Sequence, residues 1–257
     1  MSPVKVKPTG FADGVEHRVA LPPIYNNYIN TKTDPGYSKK GEAIQSLFRP
    51  LFTTSFLIDD FMDDNDFFGG QHIILTSASS KTAIGLAALL AQRKKDSSIN
   101  IVGLTSTGNM DFVEGLGYYD TVLAYDQVSE LTNNETSVIV DFSGNAQVQE
   151  NLQNHLGSQL AYNCLVGMVD WTNRGGAKSA ATNGKFFFAP SQALKRIKEW
   201  GNDGFQQRLG MAWMKFTSKI GSWMTVQEAN GAEELAQLYT PMLNGKIDPK
   251  VGHIVKL

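Results

Sequence analysis

From residue 72 onward, short continuous apolar runs alternate with segments that have helical spacing of their apolar residues. Continuous apolar runs are typical of strands buried on both faces, and apolar positions three and four apart are typical of helices. The predicted strands cover residues 72–77, 99–105, 121–124, 137–141 and 159–166. The helices predicted between them cover residues 81–93, 109–116 and 146–155. This alternation predicts an α/β fold, a doubly wound parallel sheet of the Rossmann type with right-handed crossovers.

The segments on either side of this pattern are less regular. Residues 1–48 are rich in Pro, Gly, Asn and Tyr, and we expect an irregular lead-in there. Residues 49–200 then form the nucleotide-binding domain, starting with a helix over 49–64, and residues 201–257 form C-terminal helices with a final strand. The elements predicted after the central pattern are a strand at 186–188, helices at 191–200, 205–219 and 231–243, and a strand at 253–257.

Composition and charge narrow the class of partner. Lys and Arg total 23 and Asp and Glu 25, so the formal net charge is only −2. Without a basic run, neither nucleic acid nor an anionic membrane is the expected partner, and a small-molecule substrate is favoured. No apolar run is long enough for a signal peptide or a membrane span. The one cysteine, Cys164, lies in an apolar stretch, which favours a reducing, cytoplasmic setting.

The turn after the first predicted strand is the main candidate binding site. A doubly wound fold places a phosphate there, because the free N–H groups and the dipole of the next helix both favour an anion. Small residues stand about where a dinucleotide fingerprint has glycines, and their hydroxyls can also donate hydrogen bonds. The candidate cofactor-binding residues of this turn are Ser77, Ser79, Ser80, Lys81 and Thr82. The alternative is a serine-capped helix without a ligand.

Lys81 and Thr82 also resemble the end of a P-loop. The glycines that shape such a loop are absent from this turn, which argues against a nucleotide hydrolase.

The end of the second predicted strand bears on the choice of cofactor. An acidic residue there would bind the free ribose hydroxyl of NAD(H). This chain instead has Thr105, Ser106 and Thr107, followed by Asn109, with no carboxylate among them. Hydroxyls can hold a 2′-phosphate, so the segment favours NADP(H). The alternative is an exposed polar turn without a ligand.

The sequence gives little support to metal binding or to a hydrolytic active site. The acidic cluster at residues 59–66 lacks the ligand spacing of a calcium loop, and we expect a solvated helix end. The four histidines are scattered, so no metal site is expected. No nucleophile-elbow motif or Cys/His pairing indicates a hydrolase.

Several long segments resemble the DUF2855 family, which is related to the medium-chain dehydrogenase/reductases, a superfamily that includes quinone oxidoreductases and enoyl reductases. The segments are RPLFTTSFLIDDF at 49–61, SASSKTAIGLA at 77–87, VGLTS at 102–106 and FVEGLGYYD at 112–120. The likeness continues from residues 186–190 to residues 252–255. It implies a zinc-independent, NADP(H)-dependent oxidoreductase that reduces a small carbonyl or activated alkene.

The resemblance also implies further site residues. In the superfamily a threonine of the helix before the first strand lies beside the nicotinamide, a place that Thr53 or Thr54 occupies here. Ser143 and Gly144 would line the remainder of the cleft, together with Gly167.

One departure from the family pattern concerns the GroES-like catalytic domain, which this resemblance predicts to be incomplete at the chain ends. Either the chain is a truncated form, or a second subunit of a homo-oligomer completes the cleft. Tyr25 is a candidate proton donor because it lies in the lead-in that would border that cleft. The alternative function is a catalytically inactive nucleotide-binding module with a regulatory or scaffold role.

Overall fold

The N-terminal segment forms a small antiparallel sheet in the computed structural model, which describes residues 1–21, 23–34, 36–95, 97–166 and 184–257. Its three strands are β1 (Pro3–Lys7), β2 (Gly10–Asp13) and β3 (Asn27–Ile29), in the order β1-β2-β3. The expectation of an irregular lead-in was therefore wrong for these residues. Every residue of β1 is exposed, so no buried face marks this strand in the sequence.

Among the described residues the central sheet has six strands, and all neighbouring pairs are parallel. The strands are β4 (His72–Leu75), β5 (Asn100–Thr105), β6 (Thr121–Ala124), β7 (Ser137–Asp141), β8 (Leu160–Leu165) and β9 (Lys185–Phe186). Their spatial order is β6-β5-β4-β7-β8-β9. This is the 3-2-1-4-5-6 order of a Rossmann sheet, so the predicted fold class is confirmed.

The part of the chain that the structure describes contains six α-helices. They are α1 (Glu42–Asp64), α2 (Lys81–Arg93), α3 (Met110–Gly115), α4 (Ala146–Leu156), α5 (Ala189–Ile220) and α6 (Gly231–Leu243). The helix predicted from residue 49 begins seven residues earlier, at Glu42, and contains Pro50. The two helices predicted at 191–200 and 205–219 lie within α5, which is interrupted at Gly201, where φ is +73°.

Helices cover both faces of the central sheet. Ile73 and Leu75 of β4 pack against α1 and α2, while Ile74 between them packs on the opposite face with Val148 and Leu152 of α4. Successive side chains of a strand point to opposite faces, so a strand covered on both sides must be apolar at every position. That requirement produced the continuous apolar runs from which the sheet was predicted.

Helices α1 and α2 approach closely because Gly85 has no side chain. A Cβ atom at Gly85 would lie 2.8 Å from the Ser55 hydroxyl, which itself donates to the carbonyl of Thr82 at 2.7 Å. The contact places the middle of α1 against the first turn of α2.

The acidic cluster at the end of α1 is engaged in ion pairs, which corrects the expectation of a simple solvated helix end. Asp59 is buried and accepts two hydrogen bonds from Arg93, at 2.7 and 2.8 Å. Asp60 is also buried and accepts from Arg196 of α5 at 2.7 Å. These pairs hold α1 to α2 and α5.

The C-terminal segment is a small unit on its own sheet. Strand β10 (Thr225–Asn230) pairs in parallel with β11 (Val251–Lys256), and α6 connects them. The sequence analysis missed β10, which is mostly exposed, and placed β11 at 253–257.

Cys164 is fully buried in β8, as the sequence predicted, and faces the α1 side of the sheet. Burial raises the pKa of its thiol to about 12. Of the helices in the described part of the chain, none combines the length and apolar character needed to cross a membrane.

Candidate functional site

The topology brings three predicted segments to one edge of the central sheet. The chain leaves β4 toward α2 on one face and leaves β7 toward α4 on the other, so a crevice opens between the carboxyl ends of these neighbouring strands. Residues 77–82 follow β4, residues 143–144 follow β7, and residues 106–109 follow the adjacent β5. This edge is the candidate site.

The turn between β4 and α2 has a left-handed residue at its start. Ser77 has φ +51°, a region that non-glycine residues seldom adopt. Its N–H donates to the hydroxyl of Tyr125 at 3.0 Å, and its carbonyl accepts from Ser80 N at 2.7 Å. Ser80 is the N-cap of α2, and its hydroxyl accepts from Ala83 N at 3.4 Å. The turn is thus fixed by hydrogen bonds within it and by one to Tyr125.

Three backbone donors of this turn are left over. Within the described residues, the N–H groups of Ser79, Lys81 and Thr82 have no hydrogen-bond acceptor. Lys81 and Thr82 open a 13-residue helix, whose dipole adds positive potential at the same place. Unpaired N–H groups at a helix start are the usual partners of a phosphate, so the turn fits the pyrophosphate of a dinucleotide.

The side chain of Lys81 lies away from those donors. Its Nζ is 3.5 Å from the carbonyl oxygen of Val251 in β11, and burial lowers the pKa of the ammonium. The backbone of Lys81 therefore belongs to the turn, while its side chain connects α2 to the C-terminal unit.

The segment after β5 divides into buried and exposed parts. Thr105 is only 1% exposed and donates to the Ser79 hydroxyl at 3.3 Å, and Asn109 Nδ2 donates to the same oxygen at 3.2 Å. Both side chains therefore hold Ser79 within the turn. Ser106 is exposed and free to contact a ligand.

A buried network joins the ends of β4 and β7. Oδ1 of Asp141 accepts hydrogen bonds from the hydroxyls of Thr76 at 2.6 Å and Ser143 at 2.8 Å, and from Ser143 N at 3.0 Å. Gly144 N donates to the same oxygen at 3.3 Å, and Phe142 N donates to the Thr76 hydroxyl at 2.9 Å. The network sets the path of residues 142–144 beside the phosphate turn.

Sequence reasoning missed three residues that shape the site: Thr76, Asp141 and Tyr125. Thr76 and Asp141 were counted only as residues of predicted strands, although the polar residue that follows each apolar run was the available signal. Tyr125 follows β6 and reaches across to Ser77, and no local pattern indicates that contact.

The two candidate threonines of α1 donate to carbonyls one turn earlier. Thr53 donates to Arg49 at 2.8 Å and Thr54 to Pro50 at 3.1 Å. Thr53 also lines a cavity between α1, α5 and the N-terminal sheet. The structure thus gives the two hydroxyls different surroundings.

The remaining candidates are Tyr25 and Gly167. Tyr25 is 52% exposed in a short helical turn over Pro23–Tyr25. Gly167 falls outside the described residues. In the ranges that the structure covers, no three His, Cys, Asp or Glu side chains are grouped to bind a metal ion.

The family comparison decides what kind of chain this is. Residues 1–248 match the family model described as "Protein of unknown function (DUF2855)". The chain belongs to the DUF2855 family. The search of curated proteins gives this DUF2855 chain no match.

Solved structures share the fold at low sequence identity. YhdH from E. coli K-12, solved with bound NADPH, is 16% identical with a TM-score of 0.51, over 90% of this chain and 66% of that chain. CurA from Vibrio vulnificus is 15% identical with a TM-score of 0.53, over 86% and 66%. The DUF2855 chain therefore spans just under two thirds of these neighbours, and the likeness agrees with its Rossmann-type fold.

Proposed function

We propose that this chain binds NADP(H) at the carboxyl edge of the central sheet and acts as a zinc-independent oxidoreductase of the medium-chain dehydrogenase/reductase type. The substrate class is a small carbonyl compound or an activated alkene. The observation that carries the proposal is the set of three N–H groups, at Ser79, Lys81 and Thr82, that find no acceptor among the described residues at the switch point of a Rossmann sheet. YhdH was solved with NADPH bound, and the fold that it shares with this chain supports the same cofactor here.

Each part of the crevice has a distinct task in this proposal. The N–H groups of the turn would bind the pyrophosphate, and Ser106 would contact the 2′-phosphate of the adenosine ribose. Thr105 and Asn109 would hold Ser79 in place through their hydrogen bonds to its hydroxyl. Ser143 and Gly144, fixed by Asp141, would border the nicotinamide half. When bound, the cofactor would supply the hydride, and the protein would orient it and exclude water.

A pair of substitutions at one position separates the backbone contribution from the side-chain contribution. Lys81 is the first residue of α2, where proline is well tolerated, and Ser80 before it has the extended backbone that precedes proline favourably. Lys81→Pro removes the N–H and the ammonium, whereas Lys81→Ala removes the ammonium alone. Losing one hydrogen bond to a charged group costs about 1.5–3 kcal/mol, or roughly 10- to 150-fold in affinity.

The measurement is the dissociation constant for NADPH and for NADH, with the thermal midpoint as a second readout, since a ligand of the native state raises it. We expect tighter binding of NADPH than of NADH by the unmodified chain. We expect a loss of at least tenfold for Lys81→Pro and a smaller loss for Lys81→Ala. Unchanged NADPH affinity in a folded Lys81→Pro protein would show that the phosphates do not bind at this turn.

Turnover tests the remainder of the proposal. NADPH oxidation should be followed with a panel of quinones, enones and small aldehydes, with and without a zinc chelator. Reduction that survives the chelator is the expected result. Tight NADPH binding without oxidation over the whole panel would favour the alternative of a nucleotide-binding module.

A further inference from the structure

Helix α6 has an apolar side that no other part of the described chain covers. No residue of this 13-residue helix is buried, and six of its apolar positions are exposed. At about 100° per residue, these positions all lie within about 60° of Tyr239 around the helix axis. They form an apolar stripe of Ala232, Leu235, Ala236, Tyr239, Met242 and Leu243.

The stripe faces away from the rest of the C-terminal unit. Tyr239 is 61% exposed, Met242 53% and Leu243 72%. The helix contacts strands β10 and β11, and its half-buried positions include Leu238 and Pro241. Those two positions lie about 100° and about 160° from Tyr239 around the axis. A contiguous exposed apolar patch of this kind marks an interaction site.

The spacing within the stripe matches a second helix. Three pairs of its residues are seven positions apart, namely Ala232 with Tyr239, Leu235 with Met242, and Ala236 with Leu243. An apolar repeat of seven residues is the seam along which two helices pack side by side. The occupant that fits the stripe is therefore another helix.

The order of small and large side chains favours a second copy of α6 that runs in the opposite direction. The first half of the stripe has Ala232 and Ala236, and the second half has Tyr239 and Leu243. In an antiparallel pair with a two-fold axis through the middle of the stripe, Ala236 of each copy faces Tyr239 of the other. Ala232 likewise faces Leu243. Each large side chain then packs against a small one, whereas parallel copies would place Tyr239 against Tyr239.

The charges beside the stripe favour the same orientation. Glu233 and Glu234 lie in the first turn of α6, and Lys246 follows its last turn. Glu234 accepts from Asn230 N at 2.6 Å, but Glu233 and Lys246 have no ion-pair partner within the described residues. In an antiparallel pair the acidic end of each helix lies beside the basic end of the other. Parallel copies would bring like charges together, which opposes association.

The area of the stripe limits the strength of the pair. A 13-residue helix is about 20 Å long, so a stripe about 10 Å wide covers about 200 Å² on each copy. A standard stable interface buries about 800 Å² on each partner. The association should therefore be weak, reversible and dependent on protein concentration.

We propose that the apolar stripe binds the same stripe of a second copy, antiparallel about a two-fold axis, and forms a reversible homodimer. The pair joins the C-terminal units of the two copies. None of its residues belongs to the candidate cofactor site, so the dimer does not depend on the proposed binding of NADP(H).

The mean mass of the chain is measured by light scattering from about 500 µM down to about 5 µM protein, because association follows mass action. The blocking variant is Tyr239→Glu, which places a charge at the centre of the stripe. Its matched control is Gln237→Glu, which adds the same charge at an exposed position about 160° away on the helix. Circular dichroism checks that each variant is folded.

We expect the dimer fraction to rise with concentration, and Tyr239→Glu to weaken dimerisation roughly tenfold or more while Gln237→Glu leaves it unchanged. Charge reversal provides a second test that leaves Tyr239 in place. Glu233→Lys and Lys246→Glu should each weaken the dimer about threefold at low salt, and the two together should restore it. A monomer at every concentration, an unaffected dimer in folded Tyr239→Glu, or no recovery in the combined variant would each overturn the proposal.

Discussion

Replacing Thr76 by valine tests whether one buried hydroxyl holds the ends of β4 and β7 together. Valine keeps the shape of the side chain but removes the donor to Asp141 and the acceptor of Phe142 N. A hydrogen bond to a charged group contributes about 1.5–3 kcal/mol, and an unpaired buried N–H costs about 1–3 kcal/mol. Ser143 N keeps Asp141 as a second acceptor, so it adds little to the loss. We therefore expect Thr76→Val to lower the free energy of unfolding by about 3 kcal/mol.

The assay combines stability and binding. For a chain of this size, about 3 kcal/mol corresponds to a fall of roughly 6–12 °C in the thermal midpoint. The affinity for NADPH should fall as well, because Ser143 and Gly144 lose part of their support. Thr121→Val, at an exposed position that begins β6, is the control and should stay within about 0.5 kcal/mol. If Thr76→Val unfolds within about 1 kcal/mol of the unmodified protein, the network does not contribute in the way described.

Three further expectations concern other contacts. Gly85→Ala gains about 1 kcal/mol of helix propensity but places a Cβ atom 2.8 Å from the Ser55 hydroxyl, where overpacking costs about 1–3 kcal/mol. Urea unfolding should therefore show a lower free energy of unfolding for Gly85→Ala, and adding Ser55→Ala should reverse that loss. Burial raises the pKa of Asp34, but the hydrogen bonds from Arg49, Gly36 N and Gln45, together with the Arg49 charge, outweigh burial and hold the pKa below its ordinary value. The stabilising effect of the carboxylate is therefore present above that ordinary value and is lost on acidification, so the unfolding free energies of the unmodified protein and Asp34→Asn should converge from about pH 6 to about pH 2.5. Tyr125→Phe leaves the Ser77 N–H without its acceptor and should lower the free energy of unfolding by about 1 kcal/mol, and calorimetry should show weaker NADPH binding. Unchanged stability and unchanged NADPH affinity would show that Tyr125 does not support the site.

The sequence predicted best the elements that are buried on both faces. All four residues of β4 and all five of β7 are buried, so their apolar runs stand out whatever their neighbours are. Strands β1 and β10 were missed because their side chains are largely exposed, and their pairing depends on partners rather than on a core.

The position of the candidate site could be predicted from the sequence, whereas its long-range hydrogen bonds could not. Its place followed from topology, since the carboxyl ends of parallel strands share an edge. The bond from Thr76 to Asp141 joins residues 65 apart, and the bond from Ser77 to Tyr125 joins residues 48 apart. Such contacts depend on the register between strands, which residue patterns within one segment do not contain.

Chemical labelling of the buried Cys164 thiol can report transient opening of the structure around β8. The thiolate is the reactive form, and a pKa of about 12 keeps it almost absent at neutral pH. With no other cysteine in the chain, a thiol reagent can label the protein only when the structure around β8 opens enough to expose this side chain. The labelling rate under native conditions therefore reports how often the structure around Cys164 opens, without a spectroscopic tag. Slower labelling in the presence of NADPH would measure how far the cofactor stabilises the closed structure around β8.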